Sequence, residues 1–450
     1  MTQKDFLYQL RRGLGSAIVE LKTNPDYNKY RDIVLRCCLK DIGYDVQCEG
    51  TKGYYLYTAI CALGVQDEFE PILVDAFMNR LELRLFQQLA DILCLYADEG
   101  SEKSQQALRE KYESLVERLS KQRVVPYRFC EREQLEHLMI YEVDTYKWTA
   151  FKKCIADAGR ILMARRDDSC NCYDWFICHC ENNFGKERVA QYFVKESAKS
   201  EEVKAFVTAI NELEEVREEN SRLRVEPKVT LKSYITRAKE LENDQYAYAR
   251  MRMAAMLFLR QANPDDMLEL ASIITNEQSD EVRANLLRVF RDIDFPSDIE
   301  LLIKYAESGC ERLQNISIDA LERFSGQRVR DLATKFITED NLDAGLPLLI
   351  NNWHRQVEPL VRERILTSKK VSHSTQRNLR DIYSKHRSKS CGDILENVYR
   401  NGECTLCRFY IVEIMWKNRV LSDSVLEECL YDSYDDTRKL AMRIKSVLAK

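Results

Sequence analysis

The chain has 450 residues, long enough for two or three domains or one extended repeat array. Gly (14) and Pro (8) are scarce, Leu, Ala, Glu, Arg and Lys are abundant, and long stretches lack strand-like alternation, which points to an all-α protein and away from global disorder. Lys and Arg total 68 against 73 Asp and Glu, a net charge of −5 that weakens a general nucleic-acid coat while leaving room for a local basic face.

The N-terminus carries Lys4, Asp5, Arg11 and Arg12 where a secretory leader needs an apolar core. The longest uncharged apolar-rich run, 53–66, falls short of the roughly 20 residues of a bilayer span. Sixteen cysteines spread from Cys37 to Cys429 then predict reduced thiols and a cytoplasmic location, not a disulfide framework.

In chain order, the helical pattern DFLYQLRRGLGSAIVELK breaks at Asn24-Pro25. Helices over 26–42 and 54–63 flank the tight connection GYDVQCEGTKG, and others follow over 67–79, 80–97 and 101–122. In that connection Asp45 and Glu49 are either part of a binding loop or ordinary turn and cap residues. A helix over 144–166 precedes SCNCYDWFICHCENNFG at 169–185, where four cysteines and a histidine fall within eleven residues.

Ser169 reads as the N-cap of that stretch and Gly185 as the residue just past its end. Stepped at helical periodicity, Cys170, Cys172, Tyr173, Phe176, Ile177, Cys180 and Phe184 share one face. Asn171, Asp174, Glu181 and Asn182 gather opposite, with Cys178 among them. A helix carrying C-x-C pairs disperses the thiols that a tetrahedral zinc site must converge, so the cysteines read as small apolar core residues.

An acidic helix over 201–224 carries Val203, Phe206, Val207, Ile210, Leu213 and Val216 as a single apolar stripe, and Pro227 ends it. The sequence thus divides into an N-terminal helical region (1–195), a long acidic connecting helix (196–230) and a C-terminal repeat stack (231–450). In the last, Met251-Arg252, Val282-Arg283 and Leu313-Gln314 recur every 31 residues, followed by Phe258-Leu259, Val289-Phe290 and Ala320-Leu321. Helix pairs of this length cannot bury an apolar face alone and must stack on neighbours. That register predicts a core of Val282, Leu286, Leu287, Phe290, Ile316, Leu321 and Phe324.

Ser279-Asp-Glu-Val282-Arg283-Ala-Asn-Leu-Leu287, and Asp435-Asp-Thr437-Arg438-Lys-Leu-Ala441 near the C-terminus, resemble the HEAT-repeat family with its Asp-x-x-Val-Arg pattern. The resemblance covers about 245–345 and is thinner over 345–450. It implies an armadillo-type fold: an α-solenoid of antiparallel helix pairs in a right-handed superhelix, its Asp and Arg forming a structural ladder that Gln314 would interrupt. The motif specifies a fold, not an activity.

No phosphate loop, zincin motif or nucleophile elbow occurs. His137, His179, His354, His373 and His386 show no ligand spacing. Cys404-Thr-Leu-Cys407 could be a redox or zinc half-site, but it lacks a second pair and runs into an apolar helix, so it reads as core. No catalytic residue, metal site or cofactor is expected.

The alkylated-base DNA glycosylases are one enzymatic precedent on HEAT-like scaffolds. Asp144 and Trp148, four apart on one helix face, with Asp174 and Trp175 nearby, are the residues such a resemblance would use, though order and spacing depart from that family.

The most basic segment, 368–389, sets Lys369, Lys370, Arg377, Arg380, Lys385, Arg387 and Lys389 against a single acid, Asp381. It is a candidate surface for phosphates or an acidic protein, against the plain alternative of a solvated face. The reading as a whole is a non-enzymatic scaffold that binds another protein through a curved surface. The alternative is a nucleic-acid binder or glycosylase-like enzyme on the same frame. No membrane partner is expected.

Overall fold

The computed structural model describes residues 1–44, 49–79, 82–121, 129–164, 173–223, 228–368 and 370–449; the side chains of 129–130, 213 and 216–223 lie outside that description. Among the described residues the protein is all-helical, with 25 α-helices, three short 3-10 turns, no strand, and one isolated bridge between Val371 and Gly402. None of the described helices is long and apolar enough to cross a membrane. The chain forms two compact units, Met1–Leu223 together with Ser424–Lys450, and Arg224–Asp423. The last segment thus belongs with the N-terminal helices.

In the first unit, the helix Gln3–Arg12 starts at Thr2, whose hydroxyl accepts from the Asp5 amide, and stops at Gly13, which takes the left-handed conformation (φ 70°). Gly15, two residues on, admits the C-terminal segment. A Cβ there would collide with the Glu428 carbonyl, and the Ser433 amide donates to the Gly13 carbonyl at 2.9 Å. The helices Gly53–Leu63, Leu83–Asp98, Glu102–Lys121 and Phe129–Ala164 then pack in succession. Glu201–Leu223 lays Val203 and Phe206 against the Phe129–Ala164 rod, so the acidic helix is a packed member of this unit.

The Phe129–Ala164 rod breaks at Lys147 (φ 56°, ψ −135°). The uninterrupted helix expected over 144–166 is therefore absent. Asp144 and Trp148 lie on opposite sides of the break and do not share a helical face, because a non-helical residue between them resets the periodicity.

The second unit is built in two layers. In the first, Asp280–Leu287 with its 3-10 continuation Arg288–Arg291, Glu311–Leu321, Leu342–Leu349, His373–Lys385 and Thr405–Lys417 each pack on the next. In the second, Gln327–Thr338, Glu358–Thr367 and Gly392–Asn401 do the same. The first-layer helices start from N-caps at Ser279, Cys310, Asn341, Ser372 and Cys404, spaced 31, 31, 31 and 32 residues apart. Ser279, Asn341 and Ser372 each accept a hydrogen bond from the amide three residues on, at 2.9–3.2 Å.

The fourth helical position also repeats: Arg283, Gln314, Gly345, Gln376 and Arg408. Arg283 Nε donates to the Ile274 carbonyl at 3.4 Å, and Gln314 Nε2 donates to the Ala306 carbonyl at 3.1 Å, each near the end of the helix before it, Pro264–Asn276 and Ile299–Ala306. Gln314 thus makes the same kind of backbone bond as Arg283.

Val282, Leu286, Leu287, Phe290, Ile316 and Leu321 are buried as the register predicts. Phe324 is only half-buried, because Glu311–Leu321 has ended and the residue lies in the turn beyond it. Phe290 packs edge-on against Phe295, ring centroids 5.0 Å apart.

Polar staples join one repeat to the next. Asn352 Nδ2 donates to the Phe324 and Leu348 carbonyls, both at 2.8 Å, and its Oδ1 accepts from the Gly326 amide at 2.8 Å. Asn418 repeats the device two helix pairs beyond, with Nδ2 donating to the Tyr383 carbonyl at 3.1 Å and Oδ1 accepting from the Ser388 amide at 2.8 Å.

Asn352→Ala orphans the Gly326 amide and the Phe324 carbonyl at once. At about 1–3 kcal/mol per orphaned group, urea unfolding should show a loss of about 2–4 kcal/mol. In the first unit, Gly15→Ala should cost about 1–3 kcal/mol, the range for overpacking a tight contact, and expose peptides from 424–450 to early proteolysis.

Candidate functional site

The 31-residue register stacks equivalent side chains on the first layer. Arg288, Asp319, Ile350 and Asp381 form one row; Arg291, Glu322, Trp353 and Ser384 form the next. Arg288 is 4% exposed, stacks its guanidinium over the Tyr248 ring at 3.8 Å, and lies 3.7 Å from Asp319. Arg291 approaches the same carboxylate at 3.9 Å. Tyr248, Met251, Asn285, Arg288, Arg312 and Asn315 line a small pocket beside this row.

Burial raises the Asp319 carboxyl above its ordinary range, against the pull of Arg291, Arg288 and Arg377. Burial, reinforced by the neighbouring Asp319 charge, pushes Glu322 up to about 7, while Arg377 and Arg291 oppose it. Further along, Arg380 Nε donates to Asp381 at 2.7 Å and the guanidinium lies 5.1 Å from the Tyr410 ring centre. Charge therefore changes along the first layer, from the Arg288 and Arg291 pair to Asp319 and Glu322, then past the uncharged Ile350 and Trp353 to Arg377, Arg380 and Asp381.

This arrangement changes the meaning of the basic segment. Lys369 lies outside the described residues. Lys370 faces Glu403 at 3.9 Å, Arg377 acts on Asp319 and Glu322, Arg380 is held by Asp381, and Lys385 donates to Asn351. Arg387 and Lys389 are exposed. A segment with one acid in its own sequence thus meets acids supplied by neighbouring helices, and the face is of mixed charge.

The cysteine-rich stretch is a helix from Asp174 to Phe184; Ser169, Cys170, Asn171 and Cys172 lie outside the described residues. Tyr173, Phe176 and Cys180 are buried, and Asp174 and Cys178 are exposed, as the face reading predicts. The Phe176 amide, in the first turn, donates to Glu136 of the neighbouring rod at 2.9 Å, a cap supplied in space and not in sequence. Trp175 is 81% exposed.

Asp144 contacts His179 Nε2 at 2.7 Å. Trp148 is packed among Phe151, Phe184 and Tyr192, with Arg188 4.2 Å above its ring. These residues make an aromatic cluster and not a platform open to a base. Asp45 lies outside the described residues, and Glu49 forms an ion pair with Lys52 at 3.6 Å, the role of an ordinary connection residue.

Cys404 and Cys407 are buried, as the core reading expects, at 1% and 8% exposure. The structure adds a third residue. His373, first in the helix one repeat earlier, brings Nδ1 to 3.3 Å from the Cys407 sulfur. One donor atom from each of His373, Cys404 and Cys407 lies within 4.8 Å of the others, and no other such group of three or more His, Cys, Asp or Glu occurs among the described residues. Sequence spacing did not reveal this histidine, which is 34 residues from Cys407. The repeat register was the available signal, since it stacks the N-termini of the two helices.

Comparison with protein-family models, with curated proteins and with solved structures finds no match for this chain.

The raised Glu322 carboxyl makes a prediction on pH. Below 4.5 the group is protonated in both folded and unfolded chains and contributes nothing. As pH rises through about 7 the unfolded chain ionises first, so stability is lost across that window, and the loss is complete above it. Glu322→Gln should leave the urea midpoint unchanged at pH 4 and raise it at pH 8.

Proposed function

We propose that residues 224–423 form a HEAT-like α-solenoid and that this stack is a non-enzymatic scaffold for a protein partner, bound along the mixed-charge row of the first layer. The observation that carries the reading is the mix of charge along the first layer. Arg288 and Arg291, Asp319 and Glu322, and Arg377, Arg380 and Asp381 lie on or just beyond the Asp280–Leu287, Glu311–Leu321 and His373–Lys385 helices, with the uncharged Ile350 and Trp353 in between. A polyanion favours an unbroken run of cations whose counterions it replaces, whereas mixed charge with flanking aromatics such as Tyr248 and Tyr410 suits a protein surface of complementary pattern. The even 31-residue spacing of the N-caps supports the repeat architecture, since a stack of like units presents like positions along one face. The competing nucleic-acid reading draws on the 368–389 segment, where Lys370, Arg377 and Arg380 are matched by nearby acids. The glycosylase-like reading draws on Asp144, which His179 already engages.

Two measurements test the proposal. Crosslinking with mass spectrometry on cells that make the chain should return one recurrent protein, with crosslinks mapped to 280–291, 311–322 and 373–389. Arg291→Glu with Arg377→Glu should weaken the purified complex at least about tenfold, the scale of a charge clash at an interface. Fluorescence anisotropy with duplex DNA and single-stranded RNA at low salt should show no saturable binding. Nucleic-acid affinity that falls steeply with salt, and falls again in the double variant, overturns the reading.

A further inference from the structure

The geometry points to a metal site at His373, Cys404 and Cys407 that takes one zinc ion per chain, with two thiolates, one imidazole and a solvent-facing fourth position. The donor atoms come from the N-termini of two adjacent first-layer helices. His373 is the first residue of His373–Lys385, just after its cap Ser372. Cys404 is the cap of Thr405–Lys417, and Cys407 is the third residue of that helix. Because the 31-residue register stacks these helix starts, the three side chains meet: Cys407 Sγ lies 3.3 Å from Nδ1 and 4.0 Å from Nε2 of His373, and all three donors fall within 4.8 Å.

Donor type and spacing both suit zinc. Cys-x-x-Cys is a usual zinc-ligand spacing, and a set of two sulfurs and one imidazole is the set that tetrahedral zinc takes up. Cys404 caps the helix and Cys407 lies in its first turn, where the backbone dipole stabilises the negative charge that a metal-bound thiolate carries.

One comparison within the chain separates this cluster from ordinary packing. The third helical positions Val282, Leu313 and Ala344 are apolar and buried, and only at Cys407 does a histidine of the preceding repeat face this position within ligand distance. His373 is exposed while both thiols are buried, so the fourth coordination position opens toward solvent.

The test uses the full chain, purified under reducing conditions, stripped with chelator and reconstituted with zinc. Elemental analysis should give about one zinc per chain, as a single tetrahedral site requires. Cobalt in place of zinc should give the visible bands of a tetrahedral ion and a near-ultraviolet thiolate band. His373→Ala changes an exposed helix start and should leave the circular dichroism unchanged while weakening zinc at least about tenfold in chelator competition, a loss that even outer-shell changes can reach. Cys407→Ser should lower the thiolate band by half. Replacing exposed Cys178 by Ser should leave stoichiometry and spectrum as they were. No zinc bound by the reduced, reconstituted chain would overturn the site. So would zinc retained with unchanged affinity in both His373→Ala and Cys407→Ser, which would place the metal elsewhere.

Discussion

A helix of 8–13 residues is marginal on its own in water, and every first-layer helix from Asp280 to Lys417 is that short. Each therefore depends on the neighbour one repeat away to cover its apolar face. The 31-residue spacing is the sequence form of that dependence, since it presents equivalent faces on neighbouring first-layer helices. The remaining features of the second unit follow from it. A helix start that recurs at fixed intervals needs a cap at fixed intervals, which Ser279, Asn341 and Ser372 supply. A turn pressed between two packed helices needs its backbone groups satisfied, which Asn352 and Asn418 do from the next repeat.

The same constraint gathers charge and chemistry. Residues far apart in sequence become neighbours when they hold equal or nearby positions in adjacent repeats. Asp319 and Arg288 meet at the same position, and His373 and Cys407, and Asn351 and Lys385, meet at positions a few residues off it. Exposed links such as Arg328 with Glu300 and Lys335 with Glu307, each 28 residues apart, lie in water and contribute little to stability. The buried ones matter more, because a desolvated carboxylate such as Glu322, raised by burial and by Asp319 of its own helix, is pulled back by Arg377 and Arg291 of other helices.

What the sequence disclosed follows from where each feature is encoded. Apolar periodicity is local, so the all-helical class and the buried positions from Val282 to Leu321 could be read directly. The face of the cysteine-rich helix was legible for the same reason, with Cys180 inward and Cys178 outward. The break at Lys147 was not, because nothing in the residue types around it departs from a helical pattern. The cap that Glu136 gives the Asp174–Phe184 helix, the acids that offset the 368–389 cations and the approach of His373 to Cys407 are contacts between separate helices. No local window contains both partners. The docking of Ser424–Lys450 in the first unit is another such case. Asp435 and Arg438 read as one more repeat, yet the partners of this segment are Gly13 and Gly15.

The register itself is the claim on which the account rests, and Phe290→Ala followed by hydrogen exchange with mass spectrometry tests it most directly. Phe290 is fully buried in the turn Arg288–Arg291, which packs on Ala247–Leu259 before it and Glu311–Leu321 after it. Emptying an aromatic core site costs about 3–5 kcal/mol. If stacked repeats share that loss only with their neighbours, protection should fall in 247–259, 280–291 and 311–321 and remain near its original level in 373–417. A uniform loss of protection over 228–423, or none in the two adjoining helices, would contradict the register.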